Sequence, residues 1–179
     1  MGLQELSLIF SCVRRGRRAM KKVQRVGTWL PPQDDFLKID IDGSSWGNPG
    51  PSGIGGVGRD RLGEVVFFFS VHKGQQAHNF MEGLSILYAL ERSYVLGWHK
   101  AICESDSQII VNLLIEQKVV GINWQLEGIV HQILQVSAIM DKVSFIHIPH
   151  EWNRVADCLA KCTSKHGDEW KVEGWENLS

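Results

Sequence analysis

Four carboxylates in the sequence stand where predicted strands and helices begin or end. Asp42 closes the first predicted strand, and Asp106 lies where the fourth predicted strand meets a helix. Glu82 and Asp157 lie in the first turns of two other predicted helices. Any one of them alone is better explained as a surface residue or a helix cap, which is the first interpretation for Asp106. The interpretation below depends on all four together.

Strand ends on one edge of a mixed sheet bring such residues together, and four carboxylates in one place repel one another strongly. Hard cations between them remove this repulsion, and all-oxygen ligand sets favour Mg²⁺, for which Mn²⁺ substitutes. Two such ions about 4 Å apart form a centre for phosphodiester cleavage, because one activates the attacking water and the other stabilises the leaving oxygen. The acids therefore predict a two-Mg²⁺ site for cleaving nucleic acid.

Two further patterns could carry chemistry, and their context argues against both. Residues 53–58 satisfy Gly-x-Gly-x-x-Gly, but a dinucleotide site needs this motif to open a helix, and here it lies in a predicted strand. Cys158, Cys162 and His166 lie near one face of a predicted helix. That face has a core to cover and no fourth ligand for a soft metal is evident. We expect no small-molecule cofactor.

The carboxylates are positioned by a predicted α/β pattern. Alternating apolar and polar residues at 36–42 predict the first strand, and a turn-rich loop follows at 43–53. Strands at 54–59 and 64–71 complete an antiparallel meander. Later segments alternate between strands at 100–104 and 142–148 and helices at 76–96, 107–117, 123–140 and 153–165. The order β-β-β-α-β-α-α-β-α predicts a five-stranded mixed sheet, with three antiparallel and two parallel strands and helices on both faces.

Charge and composition divide the chain into three parts. Residues 1–35 form a basic leader and Pro-containing linker that we expect to be poorly ordered, with seven bases and three acids. Residues 36–166 form the predicted domain, and 167–179 a polar tail. The chain after residue 35 has 12 bases and 17 acids, so it is too acidic to bind nucleic acid by charge alone and needs a specific site. The leader could bind nucleic acid or serve as a targeting signal, and the simplest interpretation is a solvated tail.

Composition also limits the cellular setting. No apolar run approaches the roughly 18 residues that a membrane span needs, so we expect no membrane partner. The four cysteines are scattered and do not form a disulfide scaffold, which favours a reducing, intracellular compartment. The nucleus or cytoplasm is favoured, and the Arg-rich leader is also compatible with an organelle.

The segments around the four acids resemble the type 1 ribonuclease H family. The stretch 42–55, Asp-Gly-Ser-x-x-Gly-Asn-Pro-Gly-Pro-x-Gly-x-Gly, is similar to the opening motif of that family. Residues 79–82, 104–108 and 147–157 resemble its glutamate, Asp-Ser-Gln and final segments, in the same order and at its spacing. The final segment is most similar to the ribonuclease H-like domains of plants, many of which derive from retroelement reverse transcriptases. The resemblance covers about residues 29–165.

This resemblance implies an endonuclease that hydrolyses the RNA strand of RNA–DNA hybrids, and we expect it to act as a monomer. Asp42, Glu82, Asp106 and Asp157 would bind two Mg²⁺ ions, with Asp42 bridging them. His147, ten residues before Asp157, matches the catalytic histidine of the family. Amide side chains both donate to and accept from a 2′-hydroxyl, the group that distinguishes RNA from DNA. The matching substrate-binding positions are Gly43, Ser44, Asn48, Asn79, Gln108 and Asn153.

Two alternatives and two departures from the family remain. A catalytically inactive domain could keep the fold as a nucleic-acid- or protein-binding module, although such a module has no reason to keep four mutually repelling acids. An integrase or exonuclease on the same fold is disfavoured by the Gly-Asn-Pro-Gly-Pro loop at 47–51. His78 stands where many relatives have Asn. The connection at 118–124 is short and has one Lys, so it lacks the basic handle with which some members grip the hybrid.

Overall fold

The described part of the chain forms six strands and four α-helices. The computed structural model describes residues 30–33, 35–117, 121–164 and the backbone of 171–175. Most of the predicted leader, together with His166, therefore lies outside the described residues. In chain order the elements are β1 (Leu37–Ser45), β2 (Gly50–Arg59), β3 (Val65–Gln76), α1 (His78–Val95), β4 (Lys100–Ser105), α2 (Gln108–Glu116), α3 (Trp124–Ile139), β5 (Lys142–His147), a short 3-10 helix (His150–Trp152), α4 (Arg154–Ser164) and β6 (Lys171–Trp175).

One mixed sheet has the strand order β5-β4-β1-β2-β3-β6. Neighbouring strands from β1 to β3 pair antiparallel, whereas β4 pairs parallel with both β1 and β5. The predicted meander with two added parallel strands is therefore confirmed. Since β1 and β4 run side by side in the same direction, Asp42 near the end of β1 and Asp106 just after β4 reach the same edge of the sheet.

A sixth strand extends the five that the sequence predicts. β6 pairs antiparallel with β3, with Phe67 opposite Trp175, in the segment that was predicted to be a polar tail. The segment is five residues long and contains Gly174, and both features weaken a strand signal. Strand addition depends on backbone groups at the open edge of β3, so it does not need a strong side-chain pattern.

The strands also extend into the loop predicted at 43–53. β1 continues to Ser45 and β2 already starts at Gly50, leaving only residues 46–49 as the turn. The Trp46 amide donates to the Pro51 carbonyl at 2.9 Å, and Gly47 takes a φ of +98° that a side chain would disfavour. Turn-forming residues therefore predict where the chain reverses, but not how far pairing continues on either side.

Alternation along β1 separates two layers. Leu37, Ile39 and Ile41 are fully buried and join the main core with residues of α1 and α3. Asp40 and Asp42 lie on the opposite face of the strand. There a smaller cluster packs under α4, formed by Val57, Val65, Phe68 and Leu159. Helices thus cover both faces, as predicted, and Asp42 lies on the side that α4 covers. None of the described helices is long and apolar enough to span a bilayer.

Close packing of α4 on β2 explains the first two glycines of the Gly-x-Gly-x-x-Gly pattern. A Cβ atom on Gly55 would lie 2.3 Å from the Ala160 nitrogen and 2.7 Å from the Ala156 carbonyl oxygen. A Cβ on Gly53 would lie 2.6 Å from the carbonyl oxygen of Ala160. These glycines therefore let a helix backbone approach the strand, which brings Asp157 on α4 towards Asp42.

Candidate active site

Three of the four predicted carboxylates meet at the edge of the sheet where β1 and β4 end. Asp42, Glu82 and Asp106 each offer an oxygen, and these oxygens all lie within 4.8 Å of one another. Asp42 is 5% exposed and Glu82 is 3% exposed, so two of the three are almost entirely removed from water. The fourth acid, Asp157, lines the same cavity of about 300 Å³ from the first turn of α4.

Gly43 allows α1 to approach β1 closely enough to place Glu82. A Cβ atom on Gly43 would lie 2.3 Å from the Met81 carbonyl carbon and 2.4 Å from the Glu82 backbone nitrogen, so only glycine fits here. The Gly43 backbone amide also donates to the Glu82 carboxylate. The other oxygen, Glu82 Oε2, is buried and has no hydrogen-bond partner among the described residues. Such an oxygen is costly to bury unless a hydrogen-bond donor or a cation lies against it.

The pKa values of the cluster reflect its crowding. Burial, followed by the charges of Asp106 and Asp157, raises the pKa of Asp42 well above its usual value. Burial, followed by the charges of Asp42 and Asp106, does the same for Glu82. Burial also acts to raise the pKa of Asp106, but hydrogen bonds from His150 and Asn153 outweigh it and hold that pKa below the usual value. Without a cation, Asp42 and Glu82 therefore hold their protons to higher pH than ordinary carboxyl groups, whereas Asp106 loses its proton at lower pH.

Asp106 is held by two side chains from the segment that leads into α4. His150 Nδ1 lies 2.6 Å from Asp106 Oδ2, and Asn153 Nδ2 donates to Asp106 Oδ1 at 2.9 Å. Asn153 also donates to the Ile41 carbonyl oxygen at 2.8 Å and is fully buried. The resemblance places Asn153 among the substrate contacts. In the structure its side chain instead links β1 and Asp106 to the start of α4.

The remaining predicted residues surround this centre at different depths. Gly43 and Ser44 line the cavity. Asn79 and Gln108 are exposed at the starts of α1 and α2. Asn48 lies in the turn after β1, where its Oδ1 accepts from the His78 backbone amide at 3.1 Å.

His147 is exposed at the end of β5, opposite Ser105, and is not among the residues that line the cavity. Its catalytic role therefore stays a prediction.

Five residues that line the cavity were not predicted as site residues: Ser45, His78, Ser107, His150 and Lys161. His78 Nε2 lies 3.5 Å from Glu82 Oε1, His150 contacts Asp106, and Lys161 Nζ lies 2.6 Å from Asp157 Oδ1. His78 and Lys161 each stand four residues from a predicted ligand on the same helix. The spacing i, i+4 places two helical side chains together, so this signal was present in the sequence.

A pH-dependent stability difference follows from the raised pKa values. An acid whose pKa is higher in the folded state stabilises the fold below its unfolded-state pKa and loses that contribution as the pH rises through the folded-state pKa. In EDTA, we therefore expect Asp42→Asn to unfold at a higher temperature than the wild type at pH 8, with the difference shrinking towards about pH 4. Thermal unfolding of both proteins across this range measures it. Mg²⁺ should raise the wild-type melting temperature more at pH 8 than at pH 5, and a pH-independent difference in EDTA would contradict the crowded, buried Asp42 described here.

The chain is similar in sequence to a known protein family and to a plant protein. The model of the reverse transcriptase-like family matches residues 40–163, which contain all four carboxylates. A provisionally named ribonuclease H protein of Arabidopsis thaliana is 32% identical over an alignment of 146 positions that covers 78% of this chain. The chain spans only about a fifth of that protein, since the match covers 22% of its length.

Solved structures share the fold. Ribonuclease H1 from the halophilic archaeon Halobacterium salinarum superposes with a TM-score of 0.70 at 25% identity, covering 74% of this chain and 99% of that one. LC11 ribonuclease H1, solved in complex with an RNA/DNA hybrid, gives a TM-score of 0.67 at 28% identity and covers 72% and 96%. With its meander, its parallel strands and its acidic edge, the chain belongs to the reverse transcriptase-like family of ribonuclease H-type domains.

Proposed function

We propose that this protein is an endonuclease that hydrolyses the RNA strand of RNA–DNA hybrids with the help of divalent cations. The observation that carries the proposal is the convergence of Asp42, Glu82 and Asp106, from three separate elements, on one largely buried point. A fold needs no such cluster for stability, because buried like charges destabilise it. The hybrid bound by LC11 ribonuclease H1 supports the choice of substrate class.

The donor set fits Mg²⁺, with Mn²⁺ as a substitute. All four side chains offer carboxylate oxygens, and the buried Glu82 Oε2, which has no hydrogen-bond partner among the described residues, is available to a cation. Asp42, Glu82 and Asp106 would hold one ion, and Asp157 with Asp42 the second. Bound there, the ions would supply activation of the attacking water and neutralisation of charge at the leaving oxygen.

The surrounding residues hold the site in shape. Asn153 and His150 fix the two oxygens of Asp106, and Gly43 fixes the distance between β1 and α1. Such positioning matters because catalytic groups must be held close to the productive geometry. The net reaction adds water across the phosphorus–O3′ bond and leaves a 5′-phosphate and a 3′-hydroxyl.

Recognition of the RNA strand would fall to polar groups around the cavity. Asn79 and Gln108 are exposed at the starts of α1 and α2, where their amides can contact a 2′-hydroxyl, and Asn48 keeps its NH₂ group for donation while its oxygen accepts from His78. All four carboxylates come from one chain, so a monomer would contain the complete set of proposed metal ligands.

The test is hydrolysis of a labelled RNA–DNA hybrid. We expect internal cuts in the RNA strand with Mg²⁺ or Mn²⁺ and none with EDTA. Single-stranded RNA and duplex DNA of the same sequence should stay intact, because the site is proposed to need both a 2′-hydroxyl and a hybrid. A protein that binds the hybrid but is inert with both metals would instead favour the binding-module alternative.

A further inference from the structure

Lys161 introduces a fixed positive charge into the acidic cavity. Among the described residues that line it, Lys161 is the one with a permanent cationic side chain. Its Nζ lies 2.6 Å from Asp157 Oδ1, four residues earlier on α4. An acidic residue followed by a lysine at i+4 is the favourable orientation for a helical ion pair.

The packing of α4 holds this pair at the cavity. Ala156, Leu159 and Ala160 are fully buried against the sheet, so the helix cannot rotate freely. Asp157 and Lys161 are consequently held on the open side, with side chains that are 21% and 51% exposed. The ammonium group is also close enough to Asp42 to act against the rise in the pKa of that residue.

The fourth carboxylate thus differs from the other three. Asp42, Glu82 and Asp106 form a compact set of oxygens, and Asp157 is not part of that set. The distance between Asp157 and Lys161 leaves no room for an ion between their contacting atoms. A divalent cation that approaches Asp157 is repelled by the ammonium group, so it binds more strongly once that group has moved away.

We propose that Lys161 is a positioning residue that occupies Asp157 in the absence of substrate, so that the free enzyme binds one divalent ion tightly and the second weakly. This inference rests on the proposed function, since it assumes that the cluster binds metal. The lysine side chain is flexible and half exposed, so it can leave Asp157 when the negative phosphates of the hybrid arrive. Release of Asp157 would then couple binding of the second ion to binding of the substrate.

Mn²⁺ binding to the full chain without nucleic acid tests the inference. Titration followed by the electron paramagnetic resonance signal of free Mn²⁺ gives the number and the affinity of sites. We expect one tight and one weak site in the wild type. Lys161→Met keeps the apolar stem but removes the charge, and should tighten the weak site about tenfold. Lys161→Arg keeps the charge and should resemble the wild type.

Two further variants locate the effect. Lys142→Met removes an exposed lysine at the start of β5 and should leave both sites unchanged. The double variant Asp157→Asn/Lys161→Met should not show the tighter Mn²⁺ binding at the weak site, because Lys161 is proposed to act through Asp157. Equal weak-site affinities in wild type and Lys161→Met, with the tight site present, would overturn the inference alone. Absence of a tight site in the wild type would overturn both the metal centre and this inference.

Discussion

Asp106→Asn should lower the rate of hybrid cleavage by about a thousandfold or more while the fold stays intact. Groups that stabilise charge in the transition state typically cost two to three orders of magnitude when removed. Asn has nearly the shape of Asp. In the wild type Asn153 Nδ2 donates to Asp106 Oδ1 at 2.9 Å, and the Oδ1 of an asparagine at this position can accept the same hydrogen bond. The substitution therefore removes one negative charge from the cluster and leaves the link between β4 and α4 in place.

Single-turnover cleavage at saturating hybrid separates this effect from weaker binding. Asp141→Asn is the matched control, since it removes an exposed carboxylate just before β5 and should leave the rate unchanged. A circular dichroism spectrum and melting temperature close to wild type would show that Asp106→Asn is folded. Full activity of a folded Asp106→Asn protein would rule out Asp106 as a member of the catalytic cluster.

The order of elements was predictable because local sequence determines it. The alternation of Leu37, Ile39 and Ile41 with polar residues marks β1, and the helical spacing of apolar residues marks α1 and α3. The placement of acids at the ends of these elements then indicated which side chains could meet. In the structure Asp42, Glu82 and Asp106 lie together, at the ends of the elements where the sequence places them.

The parts that could not be predicted depend on contacts between distant segments. Asn153 bonds to a carbonyl 112 residues away in the chain, and no local pattern reveals that its amide is buried rather than facing a substrate. Likewise, β6 is defined by its pairing with β3 rather than by its own residues. The contact of His150 with Asp106 depends on the path of the chain after β5, which sequence spacing alone does not give.

The same limit applies to three glycines whose packing role could not be seen in the sequence. Gly43 was assigned to substrate contact by resemblance, and Gly53 and Gly55 fit a nucleotide-binding pattern. In the structure all three lie in strands, at points where the backbone of α1 or α4 crosses closely. A glycine required by such a crossing cannot be distinguished from one required by a turn until the partner helix is known.

Gly43→Ala should therefore damage both the fold and the site. The added Cβ would lie 2.3–2.6 Å from the Met81 carbonyl group and the Glu82 nitrogen, which are backbone atoms that cannot rotate away. Overpacking of this kind costs roughly 1–3 kcal/mol of the free energy of unfolding, and rigid backbone on the other side argues for the upper end. If α1 moves outwards to make room, Glu82 moves away from Asp42, and a displacement of about 1 Å can cost a hundredfold in rate.

Gly128→Ala provides the control, because it adds the same methyl group inside α3, where a Cβ would meet nothing within 4 Å. We expect this variant to be stabilised by roughly 0.5–1 kcal/mol, as alanine is the better helix former, with unchanged activity. Urea unfolding gives both free energies, and cleavage assays well below the unfolding transition give both rates. Since Gly43 carries no side chain that could touch the hybrid or a cation, a loss of rate confined to Gly43→Ala would reflect the spacing of β1 and α1. A Gly43→Ala protein as stable and active as Gly128→Ala would mean that this close approach does not position Glu82.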